Sequence, residues 1–104
     1  MGITISGIVF DGPYLLSNLE AIEGACVYCI LYKQRGSWNL AFVGETSNLD
    51  DSIKSHHKRD CWIDRAGSES ELYIAIYPIP DSTVRQRQRI VARIKIENEP
   101  PCNN

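Results

Sequence analysis

The segment Ala25–Lys33 (Ala-Cys-Val-Tyr-Cys-Ile-Leu-Tyr-Lys) is rich in β-forming residues, and a second such run, Trp38–Gly44, follows it after a short stretch containing Gly36. Two β-forming runs joined by a short polar turn with a glycine predict a hairpin. The other elements are read around it. Ile3–Phe10 alternates apolar and small residues and predicts a short strand, ended by the turn signal Asp11-Gly12-Pro13. Tyr14–Ile22 carries Leu15, Leu16, Leu19 and Ile22 at helical spacing and predicts a short helix. Ser47 stands as an N-cap, with Asp50 as its acidic partner three residues on. Leu49, Ile53 and His56 give the helix that follows one inward face. Asp60–Ser70 reads as a loop, and Leu72–Tyr77 as a third strand closed by Pro78-Ile79-Pro80. Asp81 or Ser82 caps a last helix that runs to Glu97 and is stopped by Pro100-Pro101.

A chain of 104 residues is expected to form one domain, residues 1–104, around a single core. An apolar content of 43% and a charged content of 23% are ordinary for a soluble globular protein. No apolar run approaches the roughly 18 residues of a membrane span, so no membrane partner is expected. The opening Met1-Gly2-Ile3-Thr4 lacks a basic stretch followed by an apolar one, so a cytoplasmic address is expected. The four cysteines are Cys26, Cys29, Cys61 and Cys102. Cys26 and Cys29 form a C-x-x-C inside a predicted strand, where residues three apart point to opposite faces and cannot readily hold one metal. The expectation is four reduced, mostly buried thiols and no metal site.

The order hairpin, helix, strand, helix, together with several residues at matching intervals, resembles the GIY-YIG nuclease family over nearly the whole chain. Cys26-Val27-Tyr28 stands where that family has its first triplet, with the tyrosine kept. Phe42-Val43-Gly44 stands for the second, with phenylalanine for tyrosine and the glycine kept. Thr46-Ser47-Asn48-Leu49 is similar to the strand-to-helix turn, and His56 falls where a histidine often ends the first helical stretch. Pro100-Pro101-Cys102-Asn103 is similar to the ending that places the family's asparagine, here Asn103. The resemblance implies a small α/β (α+β) domain. Its mostly antiparallel three-stranded central sheet uses strands near 26–33, 38–44 and 72–77, flanked by helices and preceded by an extra N-terminal strand.

It also implies phosphodiester hydrolysis with one divalent metal. Tyr28 would help to activate the attacking water. A carboxylate on the last helix would hold the metal, and an arginine on the first helix would stabilise charge on the phosphate. Eight residues after Gly44, where the arginine belongs, stands Ser52; twelve before Asn103, where the carboxylate belongs, stands Val91. Serine carries no charge, and valine offers no oxygen to a hard cation. Between Val84 and Ile96 there is no Asp or Glu at all. Tyr28, His56 and Asn103 are therefore vestigial catalytic candidates, Phe42, Gly44, Ser52 and Val91 mark the altered site, and no cofactor is expected. A divalent metal enters only if displaced groups keep the nuclease working.

The formal net charge is −2, poor for a protein that binds a polyanion. The last helix nevertheless carries Arg85, Arg87, Arg89, Arg93 and Lys95, and Arg85, Arg89 and Arg93 repeat every four residues as one stripe. That stripe is the candidate phosphate contact, whereas Asp50 and Asp51 would repel a nucleic-acid backbone entering beside the first helix. Three readings follow: a non-cleaving binding module with nucleic acid as first ligand, a nuclease with displaced catalytic groups, and a protein-interaction scaffold or homodimer.

Overall fold

A computed structural model describes residues 2–19, 24–54 and 56–103, without the Lys54 side chain. Five antiparallel strands form one sheet: β1 (Gly2–Ile5), β2 (Ile8–Leu15), β3 (Cys26–Gln34), β4 (Ser37–Thr46) and β5 (Tyr73–Pro78), in the order β1-β2-β5-β3-β4. Among the described residues three helices accompany it: α1 (Leu49–Lys54), α2 (Arg59–Ala66) and α3 (Val84–Asn98). Short 3-10 turns cover Leu16–Asn18, Glu69–Glu71 and Pro101–Asn103. The domain is α+β, as expected, and the predicted strands form its β5-β3-β4 half.

The predicted hairpin pairs from Cys26↔Thr46 to Gln34↔Ser37. Its tip is Arg35-Gly36, both at positive φ (54° and 79°), the combination that matches a two-residue turn to the twist of its strands. A bulge interrupts the pairing: Ile30 faces Phe42, Leu31 faces Leu40, and Ala41 is the extra residue. It sets which side chains share a face. Phe42 packs in one core layer, whereas Trp38, Leu40 and Val43 belong to the other.

Those layers lie on opposite sides of the sheet. Cys26, Tyr28, Ile30, Ile74 and Ile76 meet Leu49 and Ile53 of α1, Trp62 of α2 and Cys102. Val27, Cys29, Leu31 and Ala75 meet Ile5, Phe10 and Ile94 of α3. Each large apolar side chain so buried stabilises the fold by about 1.5–3 kcal/mol before entropy is counted. The alternation splits Cys26 from Cys29, one in each layer, as the strand argument requires.

Several expectations are corrected. The N-terminal strand is a hairpin of two, turning at Ser6-Gly7, both at positive φ. Asp11-Gly12-Pro13 lies within β2, where the register shifts between Asp11 and Tyr14. A proline without an N–H is tolerated at such a bulge, and a Cβ on Gly12 would come within 2.8 Å of the Ile74 carbonyl oxygen. Of the helix expected over Tyr14–Ile22, Tyr14 and Leu15 are strand and Leu16–Asn18 a single 3-10 turn; residues 20–22 lie outside the described residues. The loop expected over Asp60–Ser70 begins with most of α2, ended by Gly67 in the left-handed region. Asn48, not Ser47, caps α1: its Oδ1 accepts from the Asp51 N–H at 3.4 Å. Thr83, not Asp81 or Ser82, caps α3 through a reciprocal box with Gln86. The thiols are not all reduced: Cys61 and Cys102 are joined by a disulfide.

Candidate functional site

Tyr28 and Gly44 are cross-strand partners on β3 and β4. The tyrosine ring lies so close over the glycine that a Cβ there would meet the Tyr28 hydroxyl at 2.7 Å and its ring at 2.8 Å. That contact explains why a large ring and a missing side chain stand opposite each other. Tyr28 is only 2% exposed, and burial, reinforced by the neighbouring Cys26 and Glu45, pushes its phenol well above the usual range. A phenol so held does not surrender its proton near neutral pH, which is the opposite of what activating a water demands.

An aromatic chain runs on from that ring. Phe42 lies 6.1 Å from Tyr28 by ring centroids, 4.9 Å from His56 and 5.4 Å from Trp62. His56 lies beyond α1, 4.6 Å from Trp62 and stacked on His57 at 4.8 Å. Its Nδ1 accepts the Lys58 backbone N–H at 3.0 Å, so the neutral ring carries its proton on Nε2. Burial, then the charges of His57 and Lys58, lower its pKa. His56 thus packs and caps a turn. Trp62, wholly buried, keeps an indole N–H with no hydrogen-bond partner among the described residues.

The other marked positions are engaged elsewhere. Ser52 Oγ shares a 2.6 Å hydrogen bond with Thr46 Oγ1, tying α1 to the end of β4. The nearest arginine that follows, Arg59, donates to the Ile53 carbonyl at 2.9 Å and pairs with Glu69 at 2.6 Å. Val91 packs on the layer opposite Tyr28 and His56. Asn103 turns its amide onto the backbone of β4, accepting from the Val43 N–H at 2.9 Å and donating to its carbonyl at 2.8 Å. A hollow of about 460 Å³ touches Asn103 and is lined by Lys95, Ile96, Glu99 and Pro100. The structure thus gathers Tyr28, Phe42, Gly44 and His56 on one face, with Ser52 and Asn103 tied to β4, and sets Val91 apart.

Helix α3 sorts its cations into two groups. Arg85, Arg89 and Arg93 are exposed along one stripe, and Lys95 is exposed too. Arg93 pairs with Glu97 at 3.1 Å, one turn on, because the helix runs past the expected acid-free stretch. Arg85 and Arg89 make no ion pair or hydrogen bond among the described residues. Arg87, by contrast, is 3% exposed. Its Nε donates to Glu45 Oε1 at 2.9 Å, and its Nη1 donates to both the carbonyl and the hydroxyl oxygen of Ser82 at 2.9 Å. Arg87 stands in the sequence as one more cation of the last helix, and nothing in its neighbours names Glu45 as its partner. The available signal was angular, since at 100° per residue Arg87 sits 200° from Arg85. The stripe and Asp50-Asp51 also lie on helices packed against opposite layers.

No known protein family matches the chain, and neither does any curated protein or solved structure.

Proposed function

We propose that this domain is a non-cleaving binding module, a catalytically degenerate relative of the GIY-YIG nucleases, with nucleic acid as its ligand and the outer face of α3 as its contact surface. The observation that carries the reading is the exposed stripe Arg85, Arg89 and Arg93, of which two members are unpaired among the described residues. Arginines held at one-turn intervals on a capped helix present guanidinium forks along a line, suited to successive phosphates. The degenerate part rests on the buried, proton-retaining Tyr28, on Ser52 and Asn103 being spent on β4, and on Val91 at the expected carboxylate position. The cytoplasmic address belongs to the same proposal.

The test is salt-dependent binding of duplex DNA and RNA by the wild type and by a triple variant, Arg85→Gln, Arg89→Gln and Arg93→Gln. The variant is expected to bind every sequence more weakly, with a log–log salt slope flatter by about 0.9 per lost duplex contact. Asp50→Asn with Asp51→Asn is expected to leave binding within about twofold at physiological salt, where charges beyond roughly 8 Å are screened. Tightened binding in that acidic-pair variant would move the ligand to the α1 side. No retardation of either nucleic acid at low salt and tens of micromolar protein would end this reading in favour of a protein-interaction scaffold or homodimer.

A further inference from the structure

Two features of the C-terminal turn play no part in the nucleic-acid reading. Cys102 is 1% exposed and is bonded to Cys61 on α2 across a sequence separation of 41 residues. The next residue, Asn103, meets Val43 with both ends of its amide. Strand β4 is an end strand of the sheet. On its side away from β3, the Val43 N–H and carbonyl are the groups that an added strand would use. The Asn103 amide, one acceptor and one donor, takes the place of that strand.

The turn bearing Asn103 has little to hold it by itself. Pro101–Asn103 is one 3-10 turn, and among the described residues its backbone bond runs from the Asn103 N–H to the Pro100 carbonyl at 3.2 Å. So short a helical segment is marginal without tertiary attachment, and the disulfide attaches it to α2.

We propose that the Cys61–Cys102 disulfide is a redox-controlled clamp: oxidised, it keeps Asn103 on Val43 and the β4 edge closed; reduced by a dithiol, it frees the turn and bares the Val43 N–H and carbonyl. The chemistry balances within those two partners. A thiolate of the dithiol attacks Cys61 Sγ, on the residue that keeps partial exposure, whereas Cys102 is buried. The S–S bond breaks, and Cys102 leaves as a thiolate that takes up a proton. The second thiol of the reductant displaces Cys61 from the mixed disulfide, so two electrons and two protons reach the protein and the reductant becomes a disulfide. Cys26 and Cys29 do not compete: both are fully buried, with the Cys26 thiol pushed up to about 11 and Cys29 raised further by burial. An oxidising compartment keeps the edge shut, and a reducing one opens it.

Amide hydrogen exchange on the full chain tests this, read by NMR at neutral pH with and without excess dithiothreitol. In the reduced protein the Val43 amide is expected to exchange at least about tenfold faster, while Cys29 and Ala75 in the inner strands change by less than about twofold, as for a local opening. Cys61→Ser with Cys102→Ser is expected to match the reduced protein and to ignore the reductant. Asn103→Ala, with the disulfide intact, is expected to accelerate Val43 alone. Val43 keeping its oxidised rate after thiol titration shows the bond cut would overturn the clamp. So would joint loss of protection at Val43, Cys29 and Ala75, which would make the bond a staple of the whole domain. An unchanged Val43 rate in Asn103→Ala would show that the amide does not guard the edge.

Discussion

The buried ion pair between α3 and β4 allows a prediction whose asymmetry is fixed by exposure. Arg87 is 3% exposed, and Glu45 keeps 21% of its side-chain surface in solvent. Removing one partner of a buried pair costs about 3–5 kcal/mol when the other is left as an uncompensated buried charge. Glu45→Ala does that: the guanidinium keeps only the two Ser82 oxygens, neither of them charged. With a fifth of the glutamate exposed, the cost belongs at the lower end, about 3 kcal/mol. Arg87→Met leaves a carboxylate that can turn into water and restores apolar volume under the helix. Its cost, mainly the lost bonds to Glu45 and Ser82, is about 1.5–2 kcal/mol. In the double variant neither charge is stranded, so the two effects are expected to fall short of additivity by about 1–2 kcal/mol.

Urea unfolding of the wild type, the two single variants and the double variant supplies the cycle. With a slope of about 1–3 kcal/mol per molar urea, Glu45→Ala lowers the midpoint by about 1 M or more. In a thermal melt, each kcal/mol corresponds to about 4–8 °C in a domain of this size. Raising the salt to 1 M should change the coupling little, since a buried pair is poorly screened. Arg87→Met proving the more costly single substitution, or costs additive within about 0.5 kcal/mol, would refute the reasoning.

Gly44→Ala should destabilise by about 1–3 kcal/mol, because the new methyl meets the Tyr28 and Phe42 rings inside 3 Å; an unchanged urea midpoint would mean that the rings give way freely. The lowered His56 pKa means that the unfolded chain binds its proton first as pH falls. Stability is therefore full above the ordinary histidine pKa of about 6.5 and declines as pH drops through that value toward the folded one. His56→Phe, which keeps a ring between Phe42 and Trp62, should flatten the decline between pH 7.5 and 5.5, and an equal decline in the variant would assign it elsewhere. On the proposed degenerate reading, with Val91 where a carboxylate would be expected, millimolar magnesium should leave the melting temperature unchanged; binding at 100 times the dissociation constant would add about 2.7 kcal/mol, a shift too large to miss.

The strands of the β5-β3-β4 half were legible because their signals are local. β-Forming runs, a polar turn with Gly36 and closing prolines act over two to nine residues, and tertiary context had little to override. The misread elements each had a competing signal nearby. Leucines from Leu15 onward suggested helix, yet pairing of Tyr14 and Leu15 with β5 took them into the sheet. Helix α2 shows only Trp62, Ile63 and Ala66 at helical spacing and begins without a side-chain cap, so nothing in its sequence outweighed its charged ends. Its stability comes from outside, through the buried Trp62 and the Cys61 bond to the C-terminus. The Ser6-Gly7 turn and the Thr83–Gln86 box are present in the sequence, but stronger breakers stand close by in Asp11-Gly12-Pro13 and Asp81-Ser82.

The site was legible in a different way, as a set of positions rather than a set of contacts. Tyr28 and Gly44 stand out in the sequence through the resemblance, and the structure pairs them across β3 and β4, where the ring needs the space that a glycine leaves. The resemblance implies a carboxylate on the last helix, and the lack of any Asp or Glu between Val84 and Ile96 needs no geometry to be seen. What spacing could not supply was direction. Arg87 looks like its neighbours in a string of cations until the helix turns it inward onto Glu45, 42 residues away. Asn103 looks like a free polar side chain until its amide meets Val43 across 60 residues. Cys61 and Cys102 become a pair only once α2 and the last turn reach the same layer. Each of these joins distant segments to β4 or its covering helices. Long-range attachment of that edge is the property that the sequence conceals and on which the proposed clamp depends.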